Sequence, residues 1–370
     1  SLGGITLLCK FDGQRVPMAS QIAGADETVS SLYSVKSEQA TMLSFDTYNY
    51  LVHYFGQPQG SMADDPNGTL GGDYEFVISD ATADRIELKG KKYGNRIVMK
   101  AFSADQTWKQ YLTRIKKVED DAFFYEYDLR MDGLYTGQML RSNYTFIVTY
   151  YDEVGKVHQK TVPFMFTTDG MRFHEPVTID GQTMQNFVWK NEEISFVCTD
   201  EGATGVKMKG IYIDGYQSYD YYPGTYLMDF YRLNGATNQL EVASQEIQLV
   251  KDEDGKSYWL KGLEYDILVT YDKPRGGLSI LPQFLKKVQG GYVYLAMWDL
   301  MNDYVLRSSA IGLISYPTTD GIYLVDNGVW MGEISGFIFG VYDSQDEEAS
   351  FMGYTDAVAA IRLIKKTIEE

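Results

Sequence analysis

The sequence contains few cysteines, since only Cys9 and Cys198 occur among its 370 residues. A fold that depends on a disulfide framework is therefore excluded, and at most one bridge can form. Each cysteine follows a pair of apolar residues, and cysteine itself behaves as a small apolar side chain. We expect two buried thiols, and a single bridge between them is the alternative that the sequence leaves open.

The sequence also lacks long apolar runs and an excess of basic residues. No run approaches the ~18 apolar residues of a membrane-spanning helix, so we expect no such helix. A membrane β-barrel is disfavoured, because the inferred strands are short and irregular and a helix interrupts them. The formal net charge of −18 and the isoelectric point of about 4.6 argue against nucleic acid or an anionic membrane surface as a partner.

Histidine is scarce, and the three that occur do not form a recognisable catalytic or metal-binding pattern. His53, His158 and His174 are far apart in the sequence, and neither zinc-ligand spacing nor the context of a catalytic triad accompanies them. His174 and the following glutamate begin like a zinc-protease helix, but the position of the second histidine is Thr178. The sequence therefore predicts no metal, no cofactor and no catalytic residue that can be named.

Acidic residues are abundant, but no two of them are singled out as a catalytic pair for glycoside hydrolysis. The acidic turns Asp252–Gly255 and Asp64–Gly68 offer oxygen ligands for calcium, yet neither has the regular loop spacing. We interpret both as solvated hairpin tips. Gly71 and Gly72 precede a strand rather than a helix, so they predict no phosphate-binding loop.

Alternation of apolar and polar residues dominates what is present. Tyr74–Ser79 and Arg85–Lys89 each place apolar side chains on one face, as in a half-solvated antiparallel strand. Aromatic residues make up 14% of the chain, with 30 tyrosines, and aromatic side chains pack well on a pleated sheet. Asp-Gly dipeptides recur between these stretches and suit tight hairpins. The sequence predicts a mainly β protein.

The tetrapeptide Thr-Thr-Asp-Gly occurs twice, at Thr167–Gly170 and at Thr318–Gly321, each within a longer matching frame. The repeat indicates an internal duplication and two tandem domains, residues 1–215 and residues 216–370. About eight antiparallel strands per domain would suffice to close a barrel-like, lipocalin-like domain or to form a two-sheet sandwich. The sequence does not decide between barrel and sandwich.

One helix is predicted near residues 103–118, inserted in the first domain. Ser103 is placed to cap it and Gln106 to complete a capping box. Apolar residues then recur at helical spacing: Trp108, Leu112 and Ile115. Residues 357–366 fit either a short helix or a last strand, and the pattern leaves both open.

Four tyrosines lie close together at the predicted domain boundary: Tyr216, Tyr219, Tyr221 and Tyr222. Flat, amphipathic rings can stack on sugar rings or peptides, and ligands often bind at domain junctions. Aromatic linkers also pack against the domains that they join. The tyrosines are therefore candidate ligand-binding residues, with a wedge between the two domains as the alternative.

Several stretches of the first 100 residues carry a resemblance to a known family: Met42–Asn49 (MLSFDTYN), His53–Phe55 (HYF), Gly71–Phe76 (GGDYEF) and Leu88–Gly94 (LKGKKYG). From about Gly3 to Lys100 the chain resembles the uncharacterised surface lipoproteins of Bacteroidales that are grouped as a domain of unknown function. The resemblance implies export, attachment to the outer membrane through an upstream lipidated cysteine, and genes near SusC/SusD-like transporters. It implies no catalytic residue.

The leading hypothesis is an exported accessory protein of the cell surface that binds a nutrient, a neutral glycan or a peptide, without catalysis. A SusC/SusD-like transporter complex is the partner that the resemblance implies. The sequence keeps two alternatives, a hydrolase acting on a polysaccharide or peptide and an adhesive or structural surface module. A close pair of carboxylates in an aromatic cleft would favour the hydrolase.

Overall fold

The computed structural model describes residues 3–37, 40–56, 71–152, 154–346 and 348–366. The chain divides into two compact units, Ser1–Tyr212 and Ile213–Glu370. The sequence predicts a boundary three residues later, after Gly215. Both units consist almost entirely of antiparallel strands, which confirms the predicted mainly β fold.

The first unit begins with a seven-stranded antiparallel sheet in which each strand pairs with the next in sequence. Its strands are β1 (Leu7–Cys9), β2 (Arg15–Ser20), β3 (Val29–Ser37), β4 (Thr41–Phe45), β5 (Glu75–Ala81), β6 (Arg85–Gly90) and β7 (Arg96–Lys100). The short helix α1 (Tyr50–His53) follows β4. Val16, Met18 and Phe76 are buried in the core beneath this sheet.

The same unit continues into a closed eight-stranded barrel, the first barrel. Its strands are β8 (Glu126–Met131), β9 (Leu134–Ser142), β10 (Thr145–Tyr151), β11 (Val157–Phe166), β12 (Gly170–Ile179), β13 (Gln182–Lys190), β14 (Ser195–Cys198) and β15 (Val206–Ile211), with a 3-10 turn at Asn191–Glu193. Consecutive strands pair, and β15 pairs with β8 to close the ring. The described part of this unit thus holds more strands than the eight or so predicted, because the first sheet precedes the barrel.

Aromatic side chains fill the interior of the first barrel. Tyr127, Phe146, Phe164, Phe166 and Phe196 are all fully buried and belong to one apolar cluster. An eight-stranded barrel is just wide enough to be filled by side chains or to hold one small ligand. Here the rings occupy the interior, so the inside of this barrel is a packed core.

The predicted helix is confirmed as α2 (Trp108–Asp121), but it begins later than the sequence predicts. Its capping box consists of Thr107 and Gln110, whose side chains bond each other's backbone N–H groups at 3.2 and 2.9 Å. The expected pair, Ser103 and Gln106, lies outside the helix. Both pairs have the required spacing of three residues, and Thr107 directly precedes the first turn that packs against the sheet. The helix connects β7 to β8.

The buried face of α2 consists of Leu112, Ile115 and Val118, two of which the periodicity predicts. Leu112 packs with Leu8 of the first sheet. Trp108, expected on the same buried face, is only half-buried and lies at the edge of this cluster. The first turn of the helix is therefore the least buried part of its apolar stripe.

The second unit contains a second ring of eight strands, the second barrel, with further strands attached to it. The strands of the unit are β16 (Gly224–Asn234), β17 (Gln239–Lys251), β18 (Ser257–Lys261), β19 (Ile267–Asp272), β20 (Gly277–Ile280), β21 (Gln283–Val288), β22 (Gly291–Asp299), β23 (Tyr304–Leu306), β24 (Leu313–Thr318), β25 (Gly321–Asp326), β26 (Gly336–Tyr342) and β27 (Phe351–Lys365).

The ring of the second barrel runs β16-β17-β18-β19-β20-β24-β25-β27 and closes where β27 pairs with β16. The earlier half of β27 pairs instead with β26, which extends the sheet to β22, β21 and β23. The undecided tail, residues 357–366, is therefore mostly strand. Two barrel-like domains confirm the predicted fold class, and the sandwich alternative is wrong.

Both Thr-Thr-Asp-Gly copies form hairpin turns, one between β11 and β12 and the other between β24 and β25. The threonine hydroxyl donates to the aspartate carboxylate at 3.0 Å from Thr167 to Asp169 and at 2.6 Å from Thr318 to Asp320. Counted from the first strand of each ring, the first turn joins strands four and five and the second joins strands six and seven. The two copies therefore occupy non-equivalent positions in the two rings, and what they share is the hydrogen bonding of the turn. The internal duplication itself stays a prediction.

Both cysteines are free, as expected. Cys198 is buried on β14, whereas Cys9 is half-buried on β1. Burial raises the pKa of the Cys9 thiol to about 12 and that of Cys198 to about 11. Both groups are therefore uncharged, unreactive thiols at neutral pH.

Arg362 of β27 connects this strand to β16 and to the β24–β25 turn of the second barrel. The Arg362 guanidinium donates to Asp229 of β16 at 2.8 Å and to Asp320 of the β24–β25 turn at 2.9 Å. Hydrogen bonds from the Thr318 hydroxyl, and then from Tyr323 and Arg362, lower the pKa of Asp320 to about 2. The pKa of Asp229 is also lowered, first by the Ser244 hydroxyl and then by Arg362.

Acid is therefore expected to destabilise the second unit through these two carboxylates. Because their folded-state pKa values lie below the unfolded value of ~3.9, their stabilisation is complete above about pH 4 and is lost as the pH falls towards 2. We expect the urea midpoint to fall over this range, and to fall less in Arg362→Gln than in the unchanged chain. Equal pH dependence of the two proteins would contradict the role given to Arg362.

Candidate functional site

Two of the four predicted tyrosines serve the second barrel as internal packing and hydrogen-bonding groups. Tyr222 is fully buried, and its hydroxyl donates to the carbonyl oxygen of Gly276 at 2.8 Å. The Tyr219 hydroxyl donates to the carbonyl oxygen of Ser257 at 2.8 Å, and its ring stacks on Tyr258 with the ring centroids 4.7 Å apart. Tyr219 thus ties the segment before β16 to the start of β18, and Tyr222 ties it to the turn before β20.

The other two tyrosines differ in exposure. The Tyr216 hydroxyl lies 3.0 Å from that of Tyr271, which donates to the Gln217 carbonyl oxygen at 2.8 Å. Tyr221 is 39% exposed, with the Lys365 ammonium 4.8 Å from its ring centroid. The structure therefore brings the four tyrosines together at one end of the second unit and leaves Tyr221 as the most accessible ring. Ligand binding by this cluster stays a prediction.

The candidate metal ligands are placed apart. Nε2 of His158 lies 2.8 Å from Asp152 across the β10–β11 hairpin, and His174 lies on β12, a strand as the sequence predicts. His53 is the last residue of α1. Within the described ranges no group of three or more His, Cys, Asp or Glu side chains is arranged to hold a metal ion.

The acidic turn at 252–255 has the structure of a hairpin tip. Oδ1 of Asp254 accepts from the backbone N–H groups of Lys256 and Ser257 at 2.7 and 2.9 Å, and Oδ1 of Asp252 accepts from Glu253 at 2.8 Å. These carboxylates therefore hold the turn between β17 and β18. The second acidic turn, Asp64–Gly68, lies outside the described residues.

Sequence reasoning missed a surface pocket on the extension of the second barrel, which is built on a buried carboxylate. Asp299, the last residue of β22, is fully buried. Its Oδ1 accepts from the backbone N–H of Asn302 at 3.1 Å, and its Oδ2 accepts from the Asn302 side-chain amide at 2.9 Å. The pair fixes the tight turn into β23, which folds back on β22.

The same carboxylate holds a tryptophan from a distant loop. The Trp330 indole Nε1–H donates to Asp299 Oδ2 at 2.9 Å. A Cβ on Gly332 would lie 2.1 Å from that oxygen, so only glycine allows the loop to approach so closely. Hydrogen bonds to the ionised form, first from Asn302 and then from Trp330, lower the pKa of Asp299. The indole is thus held in one orientation by a permanent carboxylate.

Exposed side chains surround the fixed indole. Tyr304 is 55% exposed and meets Trp330 edge to face, with the ring centroids 5.7 Å apart. Met331 is 97% exposed. Asp299, Asn302, Tyr304, Trp330, Met331 and Gly332 line a shallow, open pocket. We refer to it as the Trp330 pocket.

The sequence contained only weak signals for this pocket. Asp299 stood out as an acidic strand end, and Trp330 only as part of the repeated frame around the tetrapeptides. The contact between them spans 31 residues. Two sequence signals correspond to the pocket. One is a strand that ends in aspartate with asparagine three residues later, and the other is a Trp-x-Gly segment.

Comparisons with known proteins give no assigned activity. A family model described as "Domain of unknown function (DUF4302)" matches residues 1–191, and a model described as a domain of unknown function, DUF4987, matches residues 199–338. The search of curated proteins found no match. The chain is similar, at 8% identity and a TM-score of 0.17, to a crystal structure from Nostoc punctiforme of a protein with unknown function from the DUF3598 family, over 66% of this chain and 94% of that chain. In the described part of the chain, no helix is long and apolar enough to cross a membrane.

Proposed function

The chain belongs to the DUF4302 family, a family of unknown function, and on that premise we propose that it binds an uncharged glycan or peptide chain without turning it over. The Trp330 pocket is the observation that carries this proposal. The Trp330 indole is held by the buried carboxylate of Asp299. The wall of the pocket includes the exposed ring of Tyr304 and the exposed thioether of Met331.

The chemistry of this pocket suits a neutral, extended ligand. Tryptophan and tyrosine present flat apolar faces together with polar groups, which can stack on sugar rings or on peptide groups. A fixed ring loses little conformational freedom on binding, so more of the contact energy appears as affinity. The ionised Asp299 beneath Trp330, in a chain with net charge −18, disfavours anionic groups in the pocket.

The carboxyl groups favour binding over hydrolysis. Among the described residues, every carboxyl group with a shifted pKa has that pKa lowered: Asp46, Asp152, Glu193, Asp200, Asp229, Asp254, Asp299 and Asp320. A general acid for glycoside cleavage needs a raised pKa so that it is protonated at working pH. Both oxygens of Asp299 accept hydrogen bonds from the protein, which fits a positioning role.

The proposal includes export and attachment to the outer membrane surface through an upstream lipidated cysteine, beside a SusC/SusD-like transporter. This part rests on the family resemblance of the first 100 residues. A shallow pocket gives modest affinity by itself, and tethering within a membrane complex raises the effective concentration of the site to the millimolar range. Weak binding by the isolated chain is therefore compatible with nutrient capture.

Replacing Trp330 by alanine is expected to weaken binding of the ligand at least about tenfold. A central tryptophan that contacts a ligand commonly contributes more than 1 kcal/mol, and about 1.4 kcal/mol corresponds to a factor of ten. Titration calorimetry against a panel of neutral oligosaccharides and peptides measures the effect. The affinity of Trp330→Phe should lie between that of the unchanged chain and that of Trp330→Ala. Phenylalanine keeps an aromatic face but loses the hydrogen bond to Asp299.

Two further variants serve as controls. Tyr316→Ala removes an exposed tyrosine of β24 that does not line the pocket, and it should bind as the unchanged chain does. Tyr221→Ala tests the tyrosine cluster predicted from the sequence. Loss of binding in Tyr221→Ala with full binding in Trp330→Ala would move the site to that cluster. Turnover of any ligand in the panel would contradict the non-catalytic proposal.

A further inference from the structure

Two of the stretches that carry the family resemblance, Gly71–Phe76 and Leu88–Gly94, meet at one buried carboxylate, that of Asp73. Its Oδ1 accepts from the backbone N–H groups of Lys92 and Tyr93 at 2.7 and 3.0 Å, and its Oδ2 accepts from the Asn95 side-chain amide at 2.7 Å. A Cβ on Gly90 would lie 1.9 Å from Oδ2, so that position requires glycine. The β6–β7 hairpin loop is therefore fixed against the start of β5.

Beside this anchor, three rings, one from each of three stretches that carry the resemblance, form a column on the surface, which we call the ring column: Tyr48, His53 and Tyr74. The ring centroids are 5.4 Å apart between Tyr48 and His53, and 5.1 Å apart between His53 and Tyr74, whose planes differ by 15°. Tyr48 is 60% exposed and Tyr74 is 47% exposed. Single exposed aromatic residues are ordinary, whereas neighbouring exposed rings offer a ligand a continuous surface to stack on.

Each exposed tyrosine of the column is a sequence neighbour of a buried polar anchor. Tyr48 precedes Asn49, which is fully buried and whose Oδ1 accepts from the backbone N–H of Leu51 at 3.1 Å. The backbone N–H of Asn49 also donates to Nδ1 of His53 at 3.1 Å. Tyr74 follows Asp73. The backbone beside each tyrosine is thus fixed before any ligand arrives, which reduces the entropy cost of binding.

An exposed lysine, Lys92, is carried by the loop that binds Asp73, the residue before Tyr74 of the column. The Lys92 ammonium is 4.6 Å from the ring centroid of Tyr93. A hydrogen bond to the Tyr93 hydroxyl raises the pKa of Lys92, and nearby Tyr74 and Asp73 add to this effect. Within the described ranges Lys92 forms no ion pair, whereas Lys91 pairs with Glu75 at 3.1 Å.

The hairpin that carries this lysine is basic in an otherwise acidic chain. Residues 88–100 contain five cations and no acidic residue: Lys89, Lys91, Lys92, Arg96 and Lys100. Lys91 and Arg96 pair with Glu75 and Glu87, which leaves the exposed Lys92 as the cation available to a ligand, whereas the Trp330 pocket lies over an ionised carboxylate.

We propose that the ring column is a second glycan site, specific for a carboxylated sugar residue that stacks on Tyr48 or Tyr74 and pairs its carboxylate with Lys92. This inference rests on the proposed function only in taking the ligand to be a glycan. The two sites differ in the charge that they accept.

The net charge of the chain does not prevent binding of one carboxylate at this place. At ~0.1 M salt the Debye length is about 10 Å, so distant acidic residues are largely screened, while a cation in direct contact is not. A long polyanion would still be disfavoured by the acidic surface. The site is therefore suited to a glycan that carries isolated acidic sugar residues or short acidic segments.

A sugar fits the column better than a peptide does. Peptide recognition generally uses a groove for side chains or a strand edge with free backbone groups. The column instead presents ring faces and a single cation. The pyranose face, with its C–H groups, and a ring carboxylate match these two features. An acidic peptide is the competing ligand and is included in the test.

The experiment compares three probes on the full chain by titration calorimetry: tetragalacturonate, its fully methyl-esterified form, and a tetrapeptide of aspartate and glycine. We expect the tetragalacturonate to bind, the ester to bind about two- to fivefold more weakly at the column because it cannot pair with Lys92, and the peptide not to bind. Tyr74→Ala should weaken the tetragalacturonate at least about tenfold. Lys92→Gln should weaken it about two- to fivefold, the effect of an exposed ion pair, and should change its salt dependence.

Matched variants in the same unit exclude general effects. Tyr135→Ala and Lys156→Gln remove an exposed tyrosine and an exposed lysine outside the column, and both should bind as the unchanged chain does. Circular dichroism melts confirm that each variant is folded. Equal binding of acid and ester, an unchanged affinity in Tyr74→Ala, or preferential binding of the peptide would overturn the inference.

The design separates this inference from the proposed function. Trp330→Ala should weaken the neutral ligand identified for the pocket and leave the tetragalacturonate unchanged, and Tyr74→Ala should do the reverse. If a neutral ligand binds through Trp330 and tetragalacturonate does not bind, only the proposal of the second site is overturned. If tetragalacturonate binds through Tyr74 and no neutral ligand binds, only the proposal of the Trp330 pocket is overturned.

Discussion

Replacing Leu112 by alanine is expected to lower the free energy of unfolding of the first unit by ~2–5 kcal/mol, the range for truncating a fully buried leucine. Leu112 is 0% exposed in α2 and packs against Leu8 of the first sheet. Its removal leaves a cavity between helix and sheet, which the surrounding strands cannot fill without moving. Urea unfolding followed by circular dichroism measures the change.

Trp108→Ala should cost less than the ~3–5 kcal/mol usual for a buried tryptophan, because the ring is only half-buried. Thr113→Ala is the matched control on the same helix, since its side chain is exposed and alanine favours the helix. A larger loss for Trp108→Ala than for Leu112→Ala would show that the helix packs through its first turn, as the sequence periodicity suggests.

The difference between these two positions shows what periodicity can and cannot predict. Apolar residues at helical spacing correctly identify the face that Leu112 and Ile115 share. Burial of the first turn depends on how far the sheet extends beneath it, which no local pattern encodes. The capping box fails for a similar reason, since Ser103–Gln106 and Thr107–Gln110 have the same spacing and only the packed helix selects the second.

Strands are predictable from the sequence, but their partners are not. Alternation identifies Arg85–Gly90 and Glu75–Ala81 to within two residues at each end. The same alternation cannot reveal that β27 pairs with β16 and β25 through one half and with β26 through the other. Alternation sets which side chains share a face, whereas pairing is decided by contacts between distant strands.

The candidate sites follow the same rule. The tyrosines at 216–222 are visible because they are clustered in the sequence, and the structure uses Tyr219 and Tyr222 for internal hydrogen bonds. The Trp330 pocket is assembled from two loops 31 residues apart, so its central contact has no local signature. Local composition identifies candidate residue types, and the fold decides which of them remain accessible.

Replacing Phe164 by alanine is expected to lower the free energy of unfolding of the first unit by ~3–5 kcal/mol, among the largest effects of a single substitution. Phe164 is fully buried inside the first barrel and stacks on Phe146, with the ring centroids 4.5 Å apart and the planes 22° apart. Phe166 meets it edge to face at 5.3 Å. Removing the ring deletes contacts on several sides at once.

The result also decides where this barrel can bind a ligand. A ring in a packed core is costly to remove, whereas a ring that lines a ligand cavity already borders empty space and is cheaper to truncate. Tyr135→Ala, an exposed position on β9, is the control and should change stability little. A similarly small loss for Phe164→Ala would mean that the interior is not a packed core, and the search for the ligand would move from the surface to the inside of the barrel.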